Sequence, residues 1–144
     1  NIHPENIDAI ERGMAVMPKG PSVINIAVDP RCNLACPSCR PDHIQNLDPD
    51  KLVEVNLARN YLNSVRDSVK VLVLGHDGEV LFSPFLREVL KQATPDRLTN
   101  YSYTELITNG LLYDEKNLQS LLPGSQYIKK LQISIDAGNS EAYA

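Results

Sequence analysis

Val23-Ile-Asn-Ile-Ala-Val28-Asp-Pro-Arg-Cys32-Asn-Leu-Ala-Cys36-Pro-Ser-Cys39-Arg40 joins a short β-branched run to a loop that holds all three cysteines of the chain. The first six residues alternate in part and favour a buried strand, because branched side chains fit a pleated, packed surface. That strand delivers the chain into a C-x-x-x-C-x-x-C loop. Three thiolates are one short of the set that closes a structural zinc site, whereas on a cubane iron–sulfur cluster they leave one iron open to a small-molecule ligand. Three clustered cysteines also cannot pair off completely, and in a reducing compartment they read as metal or cluster ligands rather than as a disulfide framework.

The same strand-then-helix unit recurs downstream. Asp48-Pro49 combines an N-cap with proline at the first helical position, and Leu52, Val55, Ala58, Leu62 and Val65 then track one face of a helix of about five turns. Residues 69–74 form a second strand, broken by Gly75-His-Asp-Gly78, after which Ser83-Pro84 opens a helix carrying Phe85, Leu86, Val89 and Leu90. Residues 101–108 form a third strand ended by Asn109-Gly110, and Asp114 opens a short helix with Leu118, Leu121 and Leu122 that stops at Pro123-Gly124. Residues 131–135 form a fourth strand, followed by Asp136 to Gly138 and a helix starting at Ser140. Upstream, Ile7, Ile10, Met14 and Met17 follow Pro4 at helical spacing and predict a short leading helix over about 4–17 that packs through this stripe.

Four strand–helix alternations argue for an α/β architecture with parallel strands and right-handed crossovers. Ligands gather at the carboxyl ends of such strands. Every unusual polar or glycine-rich element falls there: the cysteine loop at 29–43, Gly75 to Glu79, Thr108-Asn109-Gly110, and Ser134 to Gly138.

With 144 residues, 42% of them hydrophobic and 22% charged, the chain has ordinary soluble composition and the size of one domain. A net charge of -4 without a dense Lys/Arg run gives no footprint for nucleic acid or an anionic membrane, so neither is expected as a partner. No apolar run approaches the roughly 20 residues that span a bilayer, and the first residues lack a secretory pattern, so the expected compartment is the cytoplasm. The chain begins without methionine and stops just inside a helix, leaving the fourth strand as an edge; residues 1–144 are expected to be a portion of a longer polypeptide.

Taken together, these residues resemble the radical S-adenosylmethionine (radical SAM) superfamily over nearly the whole chain. The resemblance implies the first four strand–helix units of a partial (β/α) barrel of six strands, that is, the N-terminal part of the family's core domain. It implies that Cys32, Cys36 and Cys39 hold a [4Fe-4S] cluster whose fourth iron chelates the amino and carboxylate groups of S-adenosylmethionine. Gly75-His-Asp-Gly78-Glu79 is similar to the family's glycine-glycine-glutamate motif, which assigns Gly78 and Glu79 to the methionine ammonium. Ser134 and Asp136 look like the element that supports the methionine and ribose, and Asn109, in a segment resembling a common end of the third strand, is counted with them as a residue that binds the cofactor. The activity implied is reductive cleavage of S-adenosylmethionine and abstraction of hydrogen from a substrate, peptide or small molecule, with a separate electron donor. Two departures from the family pattern stand out: Ser38 occupies a position before the third cysteine that is often aromatic, and no counterpart of the fifth-strand adenine element precedes Ala144.

Competing readings come from the same residues. His43, four residues after Cys39, completes a possible Cys₃His zinc set, which would make the chain a zinc-stabilised binding module. An electron-transfer iron–sulfur protein would ordinarily supply four ligands. Gly75 to Glu79 in isolation is also an ordinary turn, and Asp136 is also an ordinary helix cap.

Overall fold

The structure is a computed structural model and describes residues 3–37, 39 and 43–135. Its elements are α1 (Pro4–Glu11), β1 (Val23–Ile26), α2 (Pro49–Val65), β2 (Val71–Leu74), α3 (Pro84–Gln92), β3 (Tyr103–Thr108), α4 (Glu115–Ser120), a 3₁₀ turn (Gly124–Tyr127) and β4 (Ile128–Ile133). The strands form one sheet in sequence order, β1-β2-β3-β4. Every pairing is parallel, with Ile24 opposite Leu72 and Leu72 opposite Thr104 in the first two ladders. The fold is therefore the α/β arrangement with a parallel sheet expected from the alternation.

Period-two geometry explains the core. Ile24 and Ile26, Leu72 and Leu74, and Leu106 fall on matching rows of the register. They bury together with Val55 of α2 and Phe85, Leu86 and Leu90 of α3. Each such side chain contributes about 1.5–3 kcal/mol on burial. Three caps start the helices where side-chain oxygens can take up free N–H groups: Asp48 accepts from Lys51 N, Ser83 from Leu86 N and Asp114 from Asn117 N.

The leading helix departs from expectation. It ends at Glu11 rather than near Met17, because Gly13 turns the chain through a left-handed conformation at φ 66°. Its apolar stripe does not pack: Ile7, Ile10, Met14 and Met17 are all exposed. The helix is held instead by polar contacts from its other face. His3 Nε2 lies 2.9 Å from the Ser68 carbonyl, and the Asn6 amide exchanges two 3.0 Å hydrogen bonds with the Lys19 backbone, while Ala9 is buried.

Strand limits also shift. β2 and β3 begin two residues later than the apolar runs suggest, and β4 spans Ile128–Ile133 rather than 131–135. Val69 is fully buried ahead of β2, and Tyr101 closes a turn on the Leu98 carbonyl before β3 begins. No helix among the described residues is long and apolar enough to cross a membrane.

Candidate active site

Asp29 anchors the approach to the cysteine loop. Its side chain is fully buried, and its carboxylate accepts from Arg31 Nε at 2.9 Å, from Arg31 Nη2 at 2.6 Å and from the Arg31 backbone N–H at 3.2 Å. The Ser83 hydroxyl donates to the same carboxylate, while Ser83 Oγ accepts from Leu86 N at 3.0 Å to cap α3. Burial pushes the Asp29 carboxyl up, but the hydrogen bonds from Arg31 and Ser83, with the Arg31 charge, outweigh it and hold the group below its ordinary value. A buried carboxylate with this many donors is a rigid joint between the cysteine loop and the start of α3.

The loop after β2 lies directly against that joint. A β-carbon on Gly78 would collide with the backbone carbonyl oxygens of Asp29 and Arg31, so the glycine is required by the chain's own packing. Glu79 N–H then donates to the Arg31 carbonyl at 2.9 Å. On the other side, Gly75 adopts φ 108°, and a β-carbon there would run into the Ile107 carbonyl of β3.

The Glu79 carboxylate is 2% exposed. One oxygen accepts from Leu81 N at 3.0 Å and from the Thr108 hydroxyl at 2.8 Å, and the other accepts from Asn109 N at 2.8 Å. Glu79 thus brackets the carboxyl end of β3 to the loop after β2. Asn109 in turn reaches the cysteine loop, with Nδ2 2.9 Å from Asn33 Oδ1 and 3.9 Å from Cys32 Sγ. The loop itself is tied by Cys32 N–H to the Ile44 carbonyl at 3.0 Å, Cys39 N–H to the Cys36 carbonyl at 2.9 Å, and Leu34 N–H to Cys32 Sγ at 3.4 Å.

These elements enclose a cavity of about 230 Å³ whose walls include Cys32, Cys36 and Cys39, the stretch from Gly75 to Glu79, Thr108, Asn109 and Ser134. Cys32 and Cys36 are half-buried and Cys39 is exposed; none is in a disulfide. Seven of the eight residues singled out from the sequence as site residues therefore line one space. The eighth, Asp136, lies outside the described residues, as do Ser38 and residues 40–42 of the cysteine loop. A second cavity of about 110 Å³ sits between α2 and α3, lined by Arg59, Leu72 and Phe85 among others, and shares no residue with the first.

The donors that line the cavity are three thiolates, the number that an iron–sulfur cluster with one open iron takes, and the Cys₃His set with His43 is not formed. Among the described residues no three His, Cys, Asp or Glu side chains converge on a point able to hold a single metal ion. His43 is exposed and is not part of the cavity wall. Cys32, Cys36 and Cys39 line one cavity, and a cubane held by three thiolates keeps one iron open.

Searches against family models found no match. Over 126 residues the chain is 29% identical to GTP 3',8-cyclase of Synechococcus sp. (strain CC9902), covering 85% of this chain and 34% of that protein. A crystal structure of BtrN in complex with AdoMet and 2-DOIA superposes with a TM-score of 0.55 at 24% identity, covering 85% of this chain and 49% of that one. BtrN in an open conformation gives a TM-score of 0.56 at 24% identity, covering 88% and 56%. Both proteins are radical SAM proteins. The chain is similar to these radical SAM proteins over most of its own length. It spans about a third of the curated relative and about half of the solved chains. The structural likeness carries the fold, in which the cysteine loop of this chain follows its first strand.

Asp29, Ser83 and Thr108 support this site through hydrogen bonds and are among the residues that the sequence reading does not assign to it. Ser83 was visible only as a cap. The signal for Asp29 was its spacing, an acid two residues before Arg31 immediately after an apolar strand.

Proposed function

We propose that this segment supplies the cluster loop and part of the cofactor pocket of a radical SAM enzyme. One observation carries the reading: all three cysteines of the chain line the same cavity as the glycine-acid loop after β2 and the ends of β3 and β4. In this reading Cys32, Cys36 and Cys39 ligate a [4Fe-4S] cluster, and S-adenosylmethionine occupies the remaining cavity. When bound, such a cluster supplies one electron that cleaves S-adenosylmethionine and yields a 5′-deoxyadenosyl radical able to abstract hydrogen from a substrate.

The chain's own share is positioning. Asp29, Arg31 and Ser83 set the angle at which the cysteine loop leaves β1. Gly78 lets the loop after β2 lie against it, so that the backbone of residues 75–79 forms one wall of the cavity. Glu79 fixes the β3 end through Thr108 and Asn109, and Ser134, tied by its N–H to the Thr108 carbonyl at 2.9 Å, forms another part of the wall. Asp136 continues from Ser134 and is assigned here to the ribose side of the cofactor. Holding reactants in one geometry and excluding water is what a protein contributes when the cofactor carries the chemistry. An electron donor and a small-molecule or peptide substrate complete the reading.

The test is anaerobic incubation of the reconstituted full-length protein with S-adenosylmethionine and a strong reductant. Formation of 5′-deoxyadenosine that is abolished in Cys32→Ala, Cys36→Ala and Cys39→Ala supports the reading. Retention of cleavage in any of the three variants contradicts it.

A further inference from the structure

Every polar atom of the Asn109 side chain is committed. Oδ1 accepts from Leu111 N at 3.0 Å, and Nδ2 faces the cysteine loop, 2.9 Å from Asn33 Oδ1 and 3.9 Å from Cys32 Sγ. An amide nitrogen carries two hydrogens, enough for one toward the oxygen and one toward the sulfur. The orientation follows from the partners: turning the amide over would face its oxygen against Asn33 Oδ1 and its NH₂ against the Leu111 N–H. The residue cannot drift, because its backbone N–H is held at 2.8 Å by Glu79, which is itself fixed by Leu81 and Thr108. Leu34 N–H, 3.4 Å from the same sulfur, is a second donor aimed at Cys32.

We infer that Asn109 is a positioning residue whose amide N–H stabilises the Cys32 thiolate and raises the reduction potential of the cluster; the inference rests on the cluster-binding reading above. A donor dipole directed at a ligand sulfur favours the more negatively charged, reduced state, and hydrogen bonds to the sulfurs are among the factors that set such potentials. The role differs from the one the family resemblance suggests, since the side chain serves the thiolate rather than S-adenosylmethionine.

Spin-resonance-monitored redox titration of the reconstituted full-length protein tests this. Asn109→Ala removes the donor, and the one-electron reduction equilibrium is expected to fall about tenfold, equivalent to a midpoint more negative by about 59 mV. Asn109→Asp retains an acceptor for Leu111 N–H but presents only acceptors to the sulfur, and its midpoint should fall further. A fully loaded Asn109→Ala protein with the wild-type midpoint overturns the inference while leaving the proposed function intact. A wild type that assembles no [4Fe-4S] cluster removes both.

If the variants lose their cluster, the wild type labelled with ¹⁵N-asparagine decides. Pulsed spectra of its reduced cluster should carry a nitrogen coupling that survives Asn33→Ser. Absence of that coupling in the wild type, or its loss in Asn33→Ser, overturns the inference.

Discussion

Replacing Glu79 with alanine probes the joint between β2 and β3. The carboxylate takes three hydrogen bonds, from Leu81 N, Thr108 Oγ1 and Asn109 N, in a site only 2% exposed. Alanine leaves all three donors without their partner, and an unsatisfied buried group costs roughly 1–3 kcal/mol. Asn109 N is only partly buried, so water can recover some of its loss, and a total of about 3–6 kcal/mol follows. That is a large share of the roughly 5–15 kcal/mol by which a domain is stable. Glu79→Gln keeps one acceptor oxygen but sets an NH₂ against a donor, so about half the loss is expected. Urea denaturation of the cluster-free full-length protein, followed by far-ultraviolet circular dichroism, reads the difference. A Glu79→Ala protein within about 0.5 kcal/mol of wild type would refute the bracket and return the carboxylate to the cavity as a free ligand group.

Gly78→Ala places a β-carbon against the Asp29 and Arg31 carbonyls, and because backbone must yield, iron content after anaerobic reconstitution should fall well below that of the wild type; unchanged loading would show that the two loops are not packed as described. Asp29 is held below its ordinary value, so its contribution is present above the unfolded pKa of about 3.9 and is lost as pH falls through the lower folded value. Asp29→Asn should accordingly flatten the acid limb of the stability profile measured by denaturation. Burial, the largest influence, pushes Tyr101 up to about 12, with Tyr127 adding to it and the Thr104 hydrogen bond opposing it. Stability should therefore fall as pH rises from the unfolded value of about 10 toward the folded one, and Tyr101→Phe should remove that part of the alkaline decline.

The strand–helix order was legible because its signals are local. Asp48, Ser83 and Asp114 each cap the helix that their position announces, and the β-branched runs of β1 and β2 sit in adjacent parallel strands. What failed was inference from apolar spacing where partners are non-local. The Ile7, Ile10, Met14 and Met17 stripe looks like a packing face, yet α1 is anchored by His3 and Asn6 to residues far along the chain. β4 was placed too late because Lys129 and Lys130 interrupt its apolar pattern; the strand is exposed along most of its length, so burial does not dictate its sequence.

The three cysteines and their placement after β1 were readable outright. The structural share of Gly78 and Glu79 was not: the motif suggests groups offered to a ligand, and in addition the glycine accommodates the backbone of the cysteine loop and the carboxylate accepts from Leu81, Thr108 and Asn109. Close approach and an acid near an N–H look the same in sequence whether the partner is a ligand or the chain itself. Asp29 escaped for a related reason, since its partners Arg31 and Ser83 come together only when the cysteine loop folds onto α3.

The central claim is that the three thiolates hold a cubane with one corner open to S-adenosylmethionine. Spin resonance of the reduced, anaerobically reconstituted full-length protein, recorded with and without S-adenosylmethionine and paired with metal analysis, tests it most directly. The account predicts about four irons per chain and a cluster signal that changes on adding S-adenosylmethionine. Zinc bound in place of iron, or a cluster signal indifferent to S-adenosylmethionine, would contradict it.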